Sequence, residues 1–156
     1  MYRDEPIPED EHAAWFPSTM IDTNASRFRI AEHDAVAVGW IGLTRIDSRH
    51  RSCEWGGYLS PGAPKGRGLG KALLCLSLEM AFMELRLNRV VVEVLVDNVR
   101  ALGLYESMGF VREGTLRQRA WLSSGPRDVF GLSILADEWT SRRRGHLESL
   151  EESGLL

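Results

Sequence analysis

A glycine-rich segment at residues 65–71 constrains the chain more than any other feature. It reads Lys-Gly-Arg-Gly-Leu-Gly-Lys, it runs directly into an apolar stretch, and its two lysines are the only lysines in the sequence. Glycines permit a tight turn whose backbone N–H groups point inward, and a following helix adds its unpaired N-terminal donors. With cationic flanks, such a loop favours phosphate or pyrophosphate. Taken alone, it fits a glycine turn entering a core helix equally well.

Composition describes an ordinary globular domain. The 156 residues are 44% hydrophobic and 26% charged with a net charge of −3, so nothing global predicts nucleic-acid binding. No apolar run approaches the roughly 18 residues of a transmembrane helix, and the N-terminus lacks a signal-peptide pattern. The two cysteines, Cys53 and Cys75, are not spaced as metal ligands. We therefore expect a cytoplasmic protein with reduced thiols and without a metal, membrane or nucleic-acid partner.

The hydrophobic pattern predicts alternating strands and helices in one α/β domain, residues 1–140, followed by a charged tail at residues 141–156, for which a marginal helix is the alternative. A strand–loop–helix–strand unit occupies the middle, and its second strand is almost continuously β-branched, as a central strand is. The expected helices are 9–20, 68–87 and 99–108, and the expected strands are 27–30, 35–46, 53–59 and 89–96, with a C-terminal hairpin of 110–122 and 128–135.

Two motifs in this order resemble the GNAT superfamily of acetyl-CoA-dependent N-acetyltransferases. Residues 65–70 are similar to the family's pyrophosphate loop, Gln/Arg-x-x-Gly-x-Gly/Ala, with lysine at the first position. Asn98 follows the central strand, and residues 104–110, Leu-Tyr-Glu-Ser-Met-Gly-Phe, end the next helix as in the family. The resemblance implies a GNAT-like fold, in which helices flank a mixed, mostly antiparallel twisted sheet.

The same resemblance implies acetyl-CoA as co-substrate and direct attack by the acceptor amine, without an acyl-enzyme intermediate. Splayed strands before the loop and at residues 93–96 would hold the pantetheine, and the backbone of residues 57–59 would face the thioester carbonyl. The residues expected to bind the cofactor are Tyr58, Leu59, Lys65, Gly66, Arg67, Gly68, Leu69, Gly70, Lys71, Asn98, Ala101 and Tyr105.

Two residues are candidates for catalysis, and each has a structural alternative. Tyr105 stands at the family's tyrosine position and is the candidate general acid for the thiolate, although its helical spacing also fits a core tyrosine. Glu93 is the candidate general base, acting through water, or else a structural hydrogen-bond partner within an apolar strand. Glu54 is a second candidate base. Asn98 could cap its helix, contact the cofactor or do both.

Other reactive or aromatic side chains have simpler interpretations. The four histidines lie in polar surroundings and are expected at the surface. Cys75, inside a helix, is expected to be a buried inert thiol. Trp40, Trp55 and Trp121 could line an acceptor pocket or belong to the core.

Six further segments give a narrower resemblance to the acetyltransferases of pseudaminic acid biosynthesis, which act on a UDP-linked 4-amino-4,6-dideoxy sugar. It implies a nucleotide-sugar amine as the acceptor. Close relatives acetylate protein N-termini or polyamines, so a protein N-terminal acetyltransferase is an alternative, and a non-catalytic acetyl-CoA-binding domain is another. The segments are Glu11-His12, residues 55–59, residues 93–95, Asn98, residues 112–114 and Glu138-Trp139.

One departure from the family concerns the N-terminal part of the fold. GNAT folds usually open with a strand and a helix ahead of the part recognised here, and no apolar strand precedes Glu11. Without that element, the following strand would present an open edge and the acceptor pocket would lose one wall. Such an edge, or the C-terminal hairpin, could support a homodimer.

Overall fold

A computed structural model describes Asp10, Ala13 and residues 23–155. The helix expected at residues 9–20 therefore lies almost entirely outside the described residues. The strands are β1 Arg27–His33, β2 Val36–Asp47, β3 Ser52–Leu59, β4 Arg89–Leu95, β5 Val111–Leu122 and β6 Gly125–Leu135, and the helices are α1 Leu69–Glu79, α2 Val99–Met108 and α3 Ala136–Glu152. None of the helices in this part of the chain is long and apolar enough to cross a membrane.

The six strands form one sheet in the order β1-β2-β3-β4-β6-β5. All neighbours are antiparallel except β3 and β4, which confirms the predicted mixed, mostly antiparallel sheet. The parallel pairing is short, because it joins only residues 52–54 of β3 to residues 89–91 of β4. Beyond these pairs the two strands diverge, as predicted, and leave a notch in the middle of the sheet.

Strand β4 shows how the helices cover the sheet. Val90, Val92 and Val94 are almost fully buried in the core that the helices share, and we call their side of the sheet the helix face. The intervening residues of β4 are half-buried. The expectation of a strand buried equally on both faces is therefore wrong for the described residues. Side chains alternate across a strand, so Glu93 points to the opposite face.

Helix α1 is the central element of the helix face. Leu74, Cys75, Leu78 and Ala81 are fully buried along it and its continuation. The predicted helix widens after Glu79 into one π-helical turn, Met80–Glu84. This turn rotates the following side chains, so three successive residues, Met80 to Phe82, are all buried.

Helix α3 differs from the sequence prediction. The boundary drawn at residue 140 falls inside it, and the expected charged tail is a packed helix through Glu152. Its Trp139 and Leu150 are buried, and the Trp139 indole donates a hydrogen bond of 2.8 Å to Glu79 on α1. The apolar stripe of this helix is narrow and interrupted by charged residues, which explains why hydrophobic periodicity missed it. The hairpin prediction is confirmed, although Gly125 and Pro126 belong to β6 rather than to the turn.

Candidate active site

A cleft of about 640 Å³ opens where β3 and β4 diverge. The end of β3, the glycine loop and the first turns of α1 and α2 form its walls. The structure brings all the predicted cofactor-binding residues into this one cleft. They are Tyr58, Leu59, Lys65, Gly66, Arg67, Gly68, Leu69, Gly70, Lys71, Asn98, Ala101 and Tyr105.

The glycine loop has the backbone that its sequence predicts. Gly66 and Gly68 have φ of 75° and 78°, in the left-handed region that favours glycine. Gly68 is the N-cap of α1 and offers no side-chain cap, and the first turn of α1 holds no acidic residue. The first N–H groups of α1 therefore face the loop side of the cleft without a capping group. This arrangement attracts an anion through both hydrogen bonds and the helix dipole.

Four cationic side chains line the cleft. Lys65 and Arg67 are exposed on the loop, and the Lys71 ammonium lies 3.4 Å from the Ser149 hydroxyl of α3. Arg100, in the first turn of α2, was not among the predicted site residues. A cation in the first turn of a helix opposes the helix dipole, and that unfavourable placement was a usable sign of an anionic ligand.

Asn98 fulfils one of its two predicted roles in the structure itself. Its side-chain oxygen accepts a hydrogen bond of 3.2 Å from the Ala101 N–H and so caps α2. Asn98 also lines the cleft, which keeps the second role, a cofactor contact, available. At the other end of α2, Gly109 has φ of 97° and provides the left-handed C-cap.

Tyr105 belongs to the core and to the cleft at once. It is only 9% exposed, and its ring lies 5.9 Å from Trp55 in an edge-on contact and 5.5 Å from Phe110. Burial raises the pKa of its hydroxyl to about 12. The hydroxyl therefore keeps its proton at neutral pH and can act as a hydrogen-bond donor to a group in the cleft.

Trp55 supports Tyr105 from β3. The buried indole N–H of Trp55 finds no hydrogen-bond partner among the described residues, although the side chain lines the cleft. Its ring covers Gly57, where a Cβ would lie 2.9 Å from Trp55 Cζ2 and 2.9 Å from the Trp40 carbonyl oxygen. Gly57 must therefore remain glycine for Trp55 to occupy this position.

The two other tryptophans considered for an acceptor pocket lie away from this contact. Trp40 stacks between Phe28 and Tyr58, at ring distances of 5.4 Å and 6.0 Å. Trp121 is 75% exposed at the end of the hairpin, so neither core burial nor the cleft accounts for it.

Glu93 and Tyr105 do not share a pocket. Glu93 does not line the cleft, and its carboxylate lies 3.3 Å from the Arg119 guanidinium on β5. Glu54 is 2.9 Å from Arg45. Both candidate bases therefore carry an ion pair on the face of the sheet opposite the helices, whereas Tyr105 lies on the helix face.

The histidine and cysteine expectations have mixed outcomes. His50 is exposed as predicted, but His33 and His146 are half-buried, and the His146 ring stacks on Trp139 at 5.6 Å. His12 lies outside the described residues. Cys75 is buried, and burial raises the pKa of its thiol to about 11, as expected of an inert cysteine. Across residues 23–155 no group of three His, Cys, Asp or Glu side chains is placed to hold a metal ion.

The family is established by comparison with known proteins. The acetyltransferase (GNAT) domain model matches residues 1–111, and the chain belongs to the GNAT acetyltransferase family. It is an acetyl-CoA-dependent N-acetyltransferase. A spermidine N(1)-acetyltransferase of Vibrio cholerae is 29% identical over 85% of this chain and 76% of its own length. The structure of the spermidine N-acetyltransferase from Vibrio cholerae with CoA and spermine superimposes with a TM-score of 0.78, at 29% identity, covering 88% of this chain and 81% of that one.

The narrower resemblance to pseudaminic acid enzymes is not specifically supported. The acetyltransferase PseH of Campylobacter jejuni is 28% identical over 67% of this chain and 62% of its own length, a weaker match than the spermidine acetyltransferases. The predicted GNAT family is therefore confirmed. The nucleotide-sugar acceptor that the narrower resemblance implied is not established.

Proposed function

We propose that this enzyme transfers the acetyl group of acetyl-CoA to a primary amine of a small molecule, with a polyamine as the first candidate acceptor. The observation that carries the proposal is the cleft formed by the end of β3, the glycine loop and the starts of α1 and α2, which joins the loop at one end to Tyr105 and Trp55. The similarity to spermidine acetyltransferases supports the choice of polyamine.

In this proposal the glycine loop and the start of α1 bind the pyrophosphate of the cofactor. The positive φ of Gly66 and Gly68 directs backbone N–H groups inward, and Lys65, Arg67 and Arg100 supply positive charge around them. When bound, acetyl-CoA supplies the activated thioester. Residues 57–59 would hold its acyl end by backbone hydrogen bonds.

Tyr105 is proposed to assist the departure of the thiolate. A cysteine thiol has a pKa of about 8.5, whereas the pKa of the Tyr105 hydroxyl is raised to about 12, so this phenol is a much weaker acid than a thiol. Complete proton transfer from this hydroxyl to a thiolate would be uphill, so its main contribution is a hydrogen bond that stabilises the developing negative charge.

Glu93 is proposed to act on the amine through water. It stands on β4 beside the notch, and it faces the side of the sheet opposite the cofactor cleft. An alkylammonium with a pKa of about 10.4 must lose a proton before it can attack, and a carboxylate can accept that proton through a water molecule. The Arg119 guanidinium compensates the Glu93 charge in the absence of the acceptor.

A UDP-linked amino sugar is the second candidate acceptor. The Phe28–Trp40–Tyr58 stack offers aromatic surface that suits a sugar or a nucleobase, and Arg45 and Arg119 stand on the same face of the sheet. The weaker similarity to PseH favours this alternative only to a limited extent.

The acceptor can be identified by measuring CoA thiol release with three amines at equal concentration. We expect spermidine to give the highest kcat/KM, ahead of a UDP-4-amino-4,6-dideoxy sugar and a peptide with a free N-terminus. Preference for the UDP-sugar would replace the polyamine by the second candidate, and preference for the peptide would indicate a protein N-terminal acetyltransferase. Turnover of none of the three would indicate an acceptor amine of another class.

A further inference from the structure

The last described residues pack behind the glycine loop. Leu155 packs against the small buried cluster of Val38, Ala63 and Leu69, and Ala63 and Leu69 line the cofactor cleft on their other side. A Cβ at Gly68 would lie 3.3 Å from Leu155 Cδ1. Leu155 thus packs against the cluster that contains Leu69, the first residue of α1, and leaves little room for a side chain at Gly68, its N-cap.

The direction of the Leu155 side chain is fixed by the way α3 ends. Gly154 has φ of 68°, the left-handed conformation that terminates many helices. The Leu155 N–H then donates a hydrogen bond of 2.9 Å to the carbonyl of Leu150, and Leu150 is itself 2% exposed in the main core. The turn after α3 is therefore anchored and returns Leu155 towards the loop.

A second contact joins the same segment to the other end of the loop. The Lys71 ammonium lies 3.4 Å from the Ser149 hydroxyl in the last turns of α3. The loop is consequently held at the cluster of Leu69 by an apolar contact and at Lys71 by a polar one. Both contacts come from residues 149–155, which we call the C-terminal clasp.

We propose that the C-terminal clasp is a positioning element that holds the glycine loop in its anion-binding shape, with Leu155 as its main contact. The inference rests on the proposed function, in which this loop binds the cofactor pyrophosphate. A loop rich in glycine has many accessible conformations when free, and ordering it upon binding would weaken affinity. Packing from behind supplies that order in advance without touching the ligand.

The test compares acetyl-CoA with S-acetylpantetheine, which lacks the nucleotide and the pyrophosphate. For Leu155→Ala we expect kcat/KM with acetyl-CoA to fall about 10-fold through KM, with kcat and the rate with S-acetylpantetheine retained. Leu155→Met should restore most of the acetyl-CoA value. Ser149→Ala, a milder change that removes only the Lys71 contact, should lower kcat/KM about twofold.

Leu147→Ala is the matched control, because Leu147 is also half-buried on α3 but packs against the main core and not against the loop cluster. It should leave the ratio of the two acyl donors unchanged. An equal loss with both donors in Leu155→Ala, or an unchanged ratio in both clasp variants, would overturn the positioning role. If the wild-type enzyme itself did not prefer acetyl-CoA over S-acetylpantetheine, the pyrophosphate assignment would fail instead.

Discussion

Tyr105 shows how one side chain can satisfy packing and chemistry together. Its ring is held between Trp55 and Phe110, so a phenylalanine could fill the same space. Its hydroxyl is the part that packing does not require. Substitution by phenylalanine therefore separates the two roles with little change in the core.

We expect Tyr105→Phe to lower kcat by about 10²-fold, because the developing thiolate loses its hydrogen-bond donor. The dissociation constant for CoA should change by less than about threefold, since the pyrophosphate contacts stay intact. Steady-state kinetics and calorimetry measure the two quantities. Wild-type turnover in this variant would exclude the hydroxyl from catalysis.

The proposed role of Glu93 as general base has a structural alternative, because its carboxylate forms an ion pair with Arg119. If Glu93 takes the proton from the amine, Glu93→Gln should lower kcat/KM for the amine by about 10²-fold at neutral pH, whereas Arg119→Gln should retain activity within a few-fold. Rate profiles against pH provide the measurement. Equal losses in the two variants would instead assign Glu93 to a structural pair.

At the residue scale, the sequence predicts best those features of the site that depend on the local backbone conformation. The left-handed glycines of the loop, the Asn98 cap and the Gly109 C-cap are all set by residues close to them in the chain. The Glu93–Arg119 pair could not be predicted, because a strand irregularity between Leu116 and Ala120 decides where Arg119 points. The Lys71–Ser149 contact, across 78 residues, was equally inaccessible.

At the scale of elements, α3 carries the main difference between prediction and structure. Among residues 23–135, strand and helix bounds follow the predicted segments within a few residues, because periodic burial defines them. Helix α3 instead attaches through a polar cluster: the Glu79 carboxylate accepts hydrogen bonds of 2.8 Å from the Trp139 indole and 2.9 Å from Arg143 Nε. Charged residues that make tertiary contacts look the same in a sequence as those that face solvent.

This cluster predicts a stability change in acid. The hydrogen bond from Arg143 holds the pKa of Glu79 below its usual range, with a further contribution from Trp139. A carboxyl whose pKa is lower in the folded state stabilises the fold above its unfolded pKa of about 4.3 and loses that contribution as pH falls further.

We expect Glu79→Gln to reduce the free energy of unfolding by about 1–2 kcal/mol at pH 7, because the three hydrogen bonds that Trp139 and both Arg143 nitrogens donate to a charged carboxylate are weakened. The difference from the wild type should shrink when urea denaturation is repeated at pH 3.5. Arg144→Gln, which affects only the exposed pair with Glu148, is a suitable control and should change stability little. A difference independent of pH would show that charge is not the cause.

At the scale of the whole molecule, the buried thiols and the buried phenol determine how the stability of the fold changes at high pH. Burial raises the pKa of Cys53 to about 12, of Cys75 to about 11 and of Tyr105 to about 12. In the unfolded chain these thiols ionise near pH 8.5 and the phenol near pH 10, so the unfolded state loses protons first as pH rises. Stability should therefore fall with pH, starting at about 8.5.

The limiting slope for one buried thiol is about 1.4 kcal/mol per pH unit, and for Cys75 we expect about 1 kcal/mol per pH unit between pH 9 and 10.5. Cys75→Ala should make the free energy of unfolding less dependent on pH in this window, even if the variant is somewhat less stable at pH 7.5. Denaturant titrations at three pH values test this. A slope unchanged by the substitution would contradict the assignment to Cys75.

The short parallel pairing of β3 with β4 has a consequence for the mechanics of the fold. Strand β3 also pairs with β2, and β4 also pairs with β6. The sheet therefore consists of two three-stranded halves that only three residue pairs connect. This β3–β4 connection, which we call the seam, has the fewest residue pairs of any in the sheet. Local opening in native proteins occurs where few interactions hold two parts together. The proposed cofactor cleft lies beside this seam, so a bound molecule that contacted both halves of the sheet would also hold them together.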